Sequence, residues 1–190
     1  MKKLFILSTL FLAGISFANA QATFAKGDVE FATGIGVFST FAKDGATTVV
    51  PPVSARLGLR VSQKFSLAAY AAYSVAELKN DVQPDGSIRN LENEFMQLGL
   101  RAAVHGSPGE KIDFYGGAML GYNMPNITET VNGEPKSAGD ETPSFRRPAE
   151  NNFTYSAFVG ASYYPFEKVG LFAEVGYGVS ILSSGLTVKF

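Results

Sequence analysis

The sequence predicts an all-β protein: an eight-stranded antiparallel β-barrel that spans a membrane as an up-and-down meander. Three observations predict it. Apolar and polar side chains alternate along eight segments of the chain, which is the two-residue period of a strand with one apolar face. The connections between these segments mostly alternate between long and short, and aromatic residues lie at both ends of the apolar faces. A soluble β-sandwich has no reason to sort its loops and rings in this way.

The first 20 residues are predicted to be a signal peptide and not part of the fold. Two lysines precede a mostly apolar run, Leu4 to Phe17, and residues 18–20 read Ala-Asn-Ala, the form of a cleavage site. The apolar run is short for a membrane-spanning helix. The expected organisation is therefore a cleaved signal peptide over residues 1–20 and a barrel domain over residues 21–190.

Composition argues against several kinds of function. The chain has no cysteine, so we expect neither disulfides nor thiolate chemistry. Its formal net charge is −1 at pH 7, which gives no reason to expect nucleic acid as a partner. No apolar run after residue 20 approaches the ~20 residues that a transmembrane helix needs. Strands would therefore have to make any membrane crossing.

The first four predicted strands follow from the alternation in order. Asp28–Phe38 carries valine, phenylalanine and isoleucine on one face, with glutamate, alanine and glycine opposite. Val53–Ser62 alternates without a break, with serine, arginine and glycine between its apolar residues. Phe65–Ala76 continues the pattern after a tight turn, and Glu94–Val104 sets methionine, leucine and valine against glutamine, glycine and arginine. Nearly all predicted strands reach the ~9–11 tilted residues that cross a bilayer.

The last four predicted strands show the same period. Ile112–Asn123 and Phe153–Tyr164 alternate aromatic or aliphatic residues with small or polar ones. Val169–Tyr177 places valine, leucine, alanine and tyrosine on one face. Ile181–Phe190 ends the chain on an aromatic residue, with its leucines, valine and final phenylalanine sharing one parity.

The connections are predicted to differ at the two ends of the barrel. Residues 39–52, 77–93 and 124–152 are expected to be long loops, rich in proline, glycine and charged residues. Residues 63–64, 105–111 and 165–168 are expected to be short turns. Short periplasmic turns and long extracellular loops are typical of outer-membrane barrels. The short connection over residues 178–180 is the exception.

Aromatic residues on the predicted apolar faces fall at two heights, with aliphatic residues between them. Two such belts are what the two interfaces of a bilayer select. The belt beside the short turns is expected to contain Phe65, Phe114, Tyr163 and Phe190. The belt beside the long loops is expected to contain Tyr73, Tyr122, Phe153, Tyr155 and Tyr177.

The opposite, inward faces carry the charged residues. The predicted polar cluster of the lumen is Glu30, Arg56, Arg60, Gln97, Arg101, Asp113 and Glu174. Eight strands enclose a space just wide enough for their own side chains, and an isolated buried charge is costly, so the arginines must pair with the carboxylates. The sequence does not determine which residues pair. The cluster is interpreted as a plug that closes the lumen, with a narrow gated conduit as the alternative.

The signal peptide, the alternating strands, the aromatic belts and the terminal Val188-Lys189-Phe190 resemble the OmpA/OmpX-type small outer-membrane β-barrel family, with its porin-like barrel. The resemblance implies the outer membrane of a Gram-negative-type bacterium, contact with the lipid bilayer and lipopolysaccharide, and a monomer without a cofactor. It also implies that the barrel-assembly machinery reads the C-terminal strand, with Leu186, Val188 and Phe190 as the assembly signal.

The function expected from these features is non-enzymatic: the barrel anchors surface loops for adhesion, for binding an extracellular ligand that the sequence does not identify, or for envelope integrity. The alternative is a small passive pore through the polar lumen. A lipid A-modifying enzyme is the least favoured, because such barrels use a histidine with a serine and an acidic residue. The single histidine, His105, is expected in a short periplasmic turn, where no base would activate a nucleophile. We therefore expect no catalytic, metal or cofactor site.

Overall fold

The computed structural model describes residues 24–40, 46–84, 86–106, 111–135 and 150–190. The predicted signal peptide lies outside the described residues, as do parts of the predicted loops at 39–52, 77–93 and 124–152 and part of the turn at 105–111. The strands are β1 (Val29–Gly36), β2 (Thr47–Ser62), β3 (Phe65–Val82), β4 (Ile88–His105), β5 (Ile112–Val131), β6 (Glu134–Pro135), β7 (Asn152–Tyr163), β8 (Val169–Gly176) and β9 (Leu182–Lys189). In the described ranges, no helix has the length and apolarity needed to cross a membrane.

The sheet closes into a ring of eight strands. Its order is β4-β3-β2-β1-β9-β8-β7-β5, and a further pairing of β4 with β5 completes the circle. All of these pairs are antiparallel, and the two-residue β6 pairs only with the end of β5. The first and last strands meet from Glu30 opposite Lys189 to Gly36 opposite Ser183. The predicted eight-stranded meander is confirmed, and its closure removes the sheet edges within the ring.

Four strands run well beyond their predicted outer ends. β2 begins at residue 47 and not 53, β3 ends at 82 and not 76, β4 begins at 88 and not 94, and β5 ends at 131 and not 123. The prediction of loops over these stretches is wrong. Beyond the lipid no face of a strand has to be apolar throughout, so the alternation that marks a strand disappears there. Pro125 is tolerated because this part of β5 pairs, among the described strands, with β4 on one side only.

These longer strands form a sheet that projects from one end of the barrel. We call it the outer extension: residues 47–52 of β2, 74–82 of β3, 88–95 of β4 and 124–131 of β5, with β6. Its base is fixed by the register in which Tyr73 lies opposite both Val53 and Met96, and Met96 opposite Met124. The short turns lie at the other end, which is the periplasmic end in barrels of this kind.

The distribution of polar and apolar residues is inverted relative to a soluble protein. Leu100 on the outside of the ring is 69% exposed, whereas Arg60 inside it is 2% exposed. The other exposed aliphatic residues, such as Leu57, Val159 and Leu171, also point outward. An apolar band of this extent is stable only where lipid and not water surrounds it.

Candidate functional site

All seven residues of the predicted lumen cluster lie inside the ring. β1 contributes Glu30, β2 Arg56 and Arg60, β4 Gln97 and Arg101, β5 Asp113 and β8 Glu174. Each belongs to the inward parity of its strand, because its immediate neighbours hold the outward, lipid-facing positions. From the periplasmic end outward, these side chains form three layers. We call them the mouth layer (Arg60 and Asp113), the middle layer (Glu30, Arg56, Arg101 and Glu174) and the outer layer (Gln97).

The middle layer is a network of two arginines and two glutamates. Glu174 Oε2 accepts from Arg101 Nη2 at 2.6 Å, from Arg56 Nη1 at 3.4 Å and from the Tyr115 hydroxyl at 3.2 Å. Arg56 Nη2 also donates to Glu30 Oε1 at 2.9 Å. Equal numbers of opposite charges in direct contact offset much of the energy lost when these groups leave water.

Aromatic rings support the same two guanidinium groups. The Arg101 guanidinium carbon lies 3.6 Å from the ring centroid of Phe158, and that of Arg56 lies 5.2 Å from the centroid of Phe172. A cation over an aromatic face is attracted by the ring quadrupole, most strongly where water is excluded. The two arginines are therefore held by rings on their faces and by carboxylates at their edges.

The mouth layer is built around Asp113, which is 1% exposed. Arg60 Nη2 donates to Asp113 Oδ2 at 2.5 Å. The same oxygen lies 2.8 Å from His105 Nδ1, and His105 Nε2 lies 2.8 Å from the Ser66 hydroxyl oxygen. Four polar side chains from β2, β3, β4 and β5 thus meet in one hydrogen-bonded line.

The prediction that His105 lies in a short turn, with no base placed beside a nucleophile, is therefore wrong. It is the last residue of β4 and is buried, with 6% exposure. The strand continues one residue past its predicted end because the His105 N–H donates to the Lys64 carbonyl at 2.9 Å. His105 shares the parity of Arg101, so this extra residue turns its ring into the lumen. The imidazole of His105, a possible base, thus lies beside the Ser66 hydroxyl group.

The segment before β1 covers the mouth layer. The Phe24 ring is fully buried, with the guanidinium of Arg60 3.9 Å from its centroid and the Tyr164 ring edge-on at 5.1 Å. The Tyr164 hydroxyl donates to Glu30 Oε2 at 3.0 Å. Burial raises the pKa of the Tyr164 phenol, which lies just after β7, so this donor keeps its proton. The sequence analysis did not identify Phe24, Tyr164 and Ser66 as site residues. The one available signal was Phe24, an aromatic residue in the mostly polar segment before β1.

The outer layer is uncharged. Gln97 Nε2 donates to Asn123 Oδ1 at 2.7 Å, and Asn123 Nδ2 donates to Asn152 Oδ1 at 3.1 Å. Phe95 and Val179 are buried beside this amide chain and pack together with Ala72. The outer end of the lumen is thus closed by amides and an apolar cluster.

Small cavities separate the layers. Their volumes are about 30 Å³ at the mouth layer and about 20 Å³ and 10 Å³ farther out, and Arg101 borders all three. A water molecule needs roughly 10–15 Å³, so each cavity has room for only one or two. Among the described residues, no cluster of three or more histidine or acidic side chains could hold a metal ion.

The predicted assembly-signal residues lie on the seam between β1 and β9. Leu186 stands opposite Thr33 and Val188 opposite Phe31. The Phe190 N–H donates to the Val29 carbonyl at 2.8 Å, so the final residue completes the ladder. Its ring and the Leu186 side chain are exposed on the lipid side.

The predicted interface aromatics point outward at two heights. Tyr122 is half-buried and its ring lies 5.0 Å from that of Phe153. The others are exposed: Phe65, Tyr73, Phe114, Tyr155, Tyr163 and Tyr177. Phe65 and Tyr73 are separated by about 26 Å along β3 at ~3.3 Å per residue. With a strand tilt of ~40° this is about 20 Å along the membrane normal, which is close to the ~25 Å apolar band of outer-membrane barrels.

Solved structures of small outer-membrane proteins are similar to this chain. No protein-family model and no curated protein matches the sequence. OprG, an outer-membrane protein of Pseudomonas aeruginosa, superimposes with a TM-score of 0.55 at 12% identity, over 90% of this chain and 99% of that chain. Ail of Yersinia pestis gives 0.49 at 10% identity, over 86% and 95%. The N-terminal β-barrel domain of Pseudomonas aeruginosa OprF gives 0.44 at 19% identity, over 87% and 98%.

The closed ring, its lipid-exposed apolar band and the likeness to OprG agree with one another. The chain is an integral outer-membrane barrel protein with the small eight-stranded, OmpA/OmpX-type fold that its sequence predicts.

Proposed function

We propose that the principal role of this protein is non-enzymatic: the barrel is an anchor, and the outer extension is a binding surface for an extracellular partner. The height of the extension supports this proposal most directly. β3 and β4 pair from Ser74 opposite Phe95 to Val82 opposite Ile88. That distance is about 24 Å along β4 and about 27 Å along β3 at ~3.4 Å per residue. A structure that serves only to cross the bilayer does not need this length.

The outer extension is held as a defined sheet. Arg89 donates to Asp81 at 2.5 Å and lies 3.8 Å from Glu129, which joins β3, β4 and β5. Leu91 is buried, and Asn126 donates to Glu94 across the β4–β5 pair at 3.0 Å. A preorganised surface loses less conformational entropy on binding than a mobile loop does.

The strand edges and the charge of the extension indicate the kind of partner. Within the described strands, residues 124–129 of β5 pair only with β4, and residues 47–52 of β2 pair only with β3. An extended peptide can add to such an edge through main-chain hydrogen bonds. Acidic side chains outnumber basic ones in the described extension: Glu77, Asp81, Glu92, Glu94, Glu129 and Glu134 against Lys79 and Arg89. This charge favours a cationic, extended segment.

The small pore is the less supported alternative. Ion pairs and rings occupy the middle layer, and each of the cavities between the layers has room for only one or two waters. We further propose that the barrel is a monomer whose apolar band contacts the bilayer and lipopolysaccharide. We propose also that the assembly machinery reads the terminal strand.

Trimming the β3–β4 hairpin tests the binding function. Ser74 and Phe95 are register partners, so residues 75–94 can be replaced by an Asn-Gly turn without a change of register. This removes four of the six acidic residues and most of the strand residues on which the two edges pair. Cells that display the trimmed barrel should adhere to a surface coated with a lysine-rich extended peptide about tenfold more weakly, or less, than cells with the full barrel. The measurement is the number of attached cells at equal surface expression.

The matched control places the same Asn-Gly turn at residues 63–64, the two-residue turn at the periplasmic end. It should leave adhesion unchanged, and both variants should show the heat-modifiable gel mobility of an assembled barrel. Equal adhesion by the trimmed and full barrels would refute the binding role of the extension. Equal adhesion to lysine-rich and glutamate-rich coatings would refute the cationic partner.

A further inference from the structure

The mouth layer contains a second arrangement with chemical capacity, at the end of the barrel opposite the proposed binding surface. Ser66, His105 and Asp113 lie on the consecutive strands β3, β4 and β5. The two contacts that join them, from the Ser66 oxygen to His105 Nε2 and from His105 Nδ1 to Asp113 Oδ2, both measure 2.8 Å. The binding function makes no use of them.

With a neutral imidazole, the chemistry of these groups fixes the direction of each hydrogen bond. The Asp113 carboxylate, paired with Arg60, can only accept, so His105 must carry its proton on Nδ1 and donate it to Asp113. The neutral ring then has a lone pair on Nε2, and the Ser66 hydroxyl donates to it. A hydroxyl, a base and a carboxylate that orients the base are therefore in the order that nucleophilic catalysis needs.

The space beside the hydroxyl group has room for one or two water molecules, and so for an acyl group no larger than acetyl. The mouth-layer cavity of about 30 Å³ is lined by Ser66, His105 and Asp113, and also by Arg60 and Arg101. In the described part of the chain, Arg60 Nη1 and Arg101 Nε are buried nitrogens without a hydrogen-bond acceptor. Donors of this kind stabilise the negative charge that develops on a carbonyl oxygen under attack. Ser66 is half-buried and so lies at the border between this cavity and the surface.

We propose that Ser66 is an activated nucleophile and that the periplasmic mouth hydrolyses esters with a short acyl chain, with the alcohol part remaining outside the cavity. The Ser66 oxygen would form a bond to the carbonyl carbon while its proton moves to His105 Nε2. Collapse of the tetrahedral intermediate breaks the bond to the alcohol oxygen, which leaves with that proton. Water then attacks the acyl-serine by the same route, releases the carboxylic acid and restores the hydroxyl group.

The test uses the full refolded barrel in detergent micelles, with p-nitrophenyl acetate as the probe. Ester hydrolysis by the wild type should exceed that by Ser66→Ala and by His105→Gln by about 10²-fold or more, the contribution expected of a positioned base. The matched control is Ser156→Ala, because Ser156 also lies on β7 and faces the lumen but borders a cavity farther out, away from the hydrogen-bonded line. This variant should react as the wild type does.

A second measurement needs no variant, so it does not depend on a variant folding. Wild-type barrel quenched in acid during turnover should carry one acetyl group on the peptide that contains Ser66, as found by mass spectrometry. Absence of this adduct, or equal hydrolysis by wild type and a folded Ser66→Ala, would overturn the proposal. Ser66, His105 and Asp113 would then serve only to fix the register of the three strands.

Discussion

Replacing Arg60 with methionine should lower the free energy of unfolding of the refolded barrel by about 3–5 kcal/mol, the range for breaking a buried ion pair by removal of one partner. Arg60 and Asp113 are 2% and 1% exposed. Methionine fills much of the same volume, but it leaves the Asp113 carboxylate buried without its cation. The substitution also removes the guanidinium that lies over the Phe24 ring.

Denaturant unfolding of the barrel in lipid vesicles measures this loss. The double variant Arg60→Met/Asp113→Leu should recover at least half of it, because no uncompensated charge then remains. Lys79→Met is the matched control at an exposed ion pair with Glu77 in the outer extension, and it should have no measurable effect. A loss below about 1 kcal/mol for Arg60→Met, the size expected of a water-exposed pair, would show that water fills the mouth layer.

The second large effect is expected at the seam. Gly185 of β9 lies opposite Gly34 of β1, and a Cβ at Gly185 would approach the Gly34 Cα to 2.6 Å and overlap the Thr33 carbonyl oxygen. Both of these are backbone atoms, which cannot rotate away as a side chain can. Gly185→Ala must therefore spread the two strands that close the ring, and most of the protein should fail to assemble.

Gly58→Ala provides a matched control inside the barrel. The nearest atom to a Cβ at Gly58 is the Ala68 Cβ at 3.6 Å, an ordinary van der Waals contact. The fraction of refolded protein with heat-modifiable gel mobility should be unchanged for Gly58→Ala and reduced severalfold for Gly185→Ala. Equal assembly of the two variants would mean that β1 and β9 meet in a different register.

The part of the fold inside the bilayer could be predicted because lipid imposes a strict rule on it. Every second residue there must be apolar, so Leu98 and Leu100 alternate visibly with Gln97 and Arg101. Outside the bilayer the rule does not apply. Residues 124–131 read Met-Pro-Asn-Ile-Thr-Glu-Thr-Val and suggest a loop, yet they pair with β4 in an unbroken ladder.

The inward charges could be found from parity, but their pairing could not. Arg56 and Glu174 lie on β2 and β8, 118 residues apart, and their contact depends on how strands are staggered around the ring, which no local pattern encodes. His105 shows how much one residue matters at a strand end. A strand β4 that ended at Val104 would leave the histidine in a turn. In the structure one more backbone hydrogen bond extends β4 and places the ring inside the lumen, beside Asp113 and Ser66.

Single-channel recording of the refolded protein in a planar lipid bilayer tests most directly whether the barrel is a closed anchor. We expect no current steps from the wild type, because Arg56, Arg101 and Glu174 bridge the lumen and the cavities beside them have room for only one or two waters each. Heat-modifiable mobility of the same sample would show that the silent protein is assembled. Discrete steps in the wild type that change in Glu174→Gln would contradict the closed lumen and establish a conducting pore.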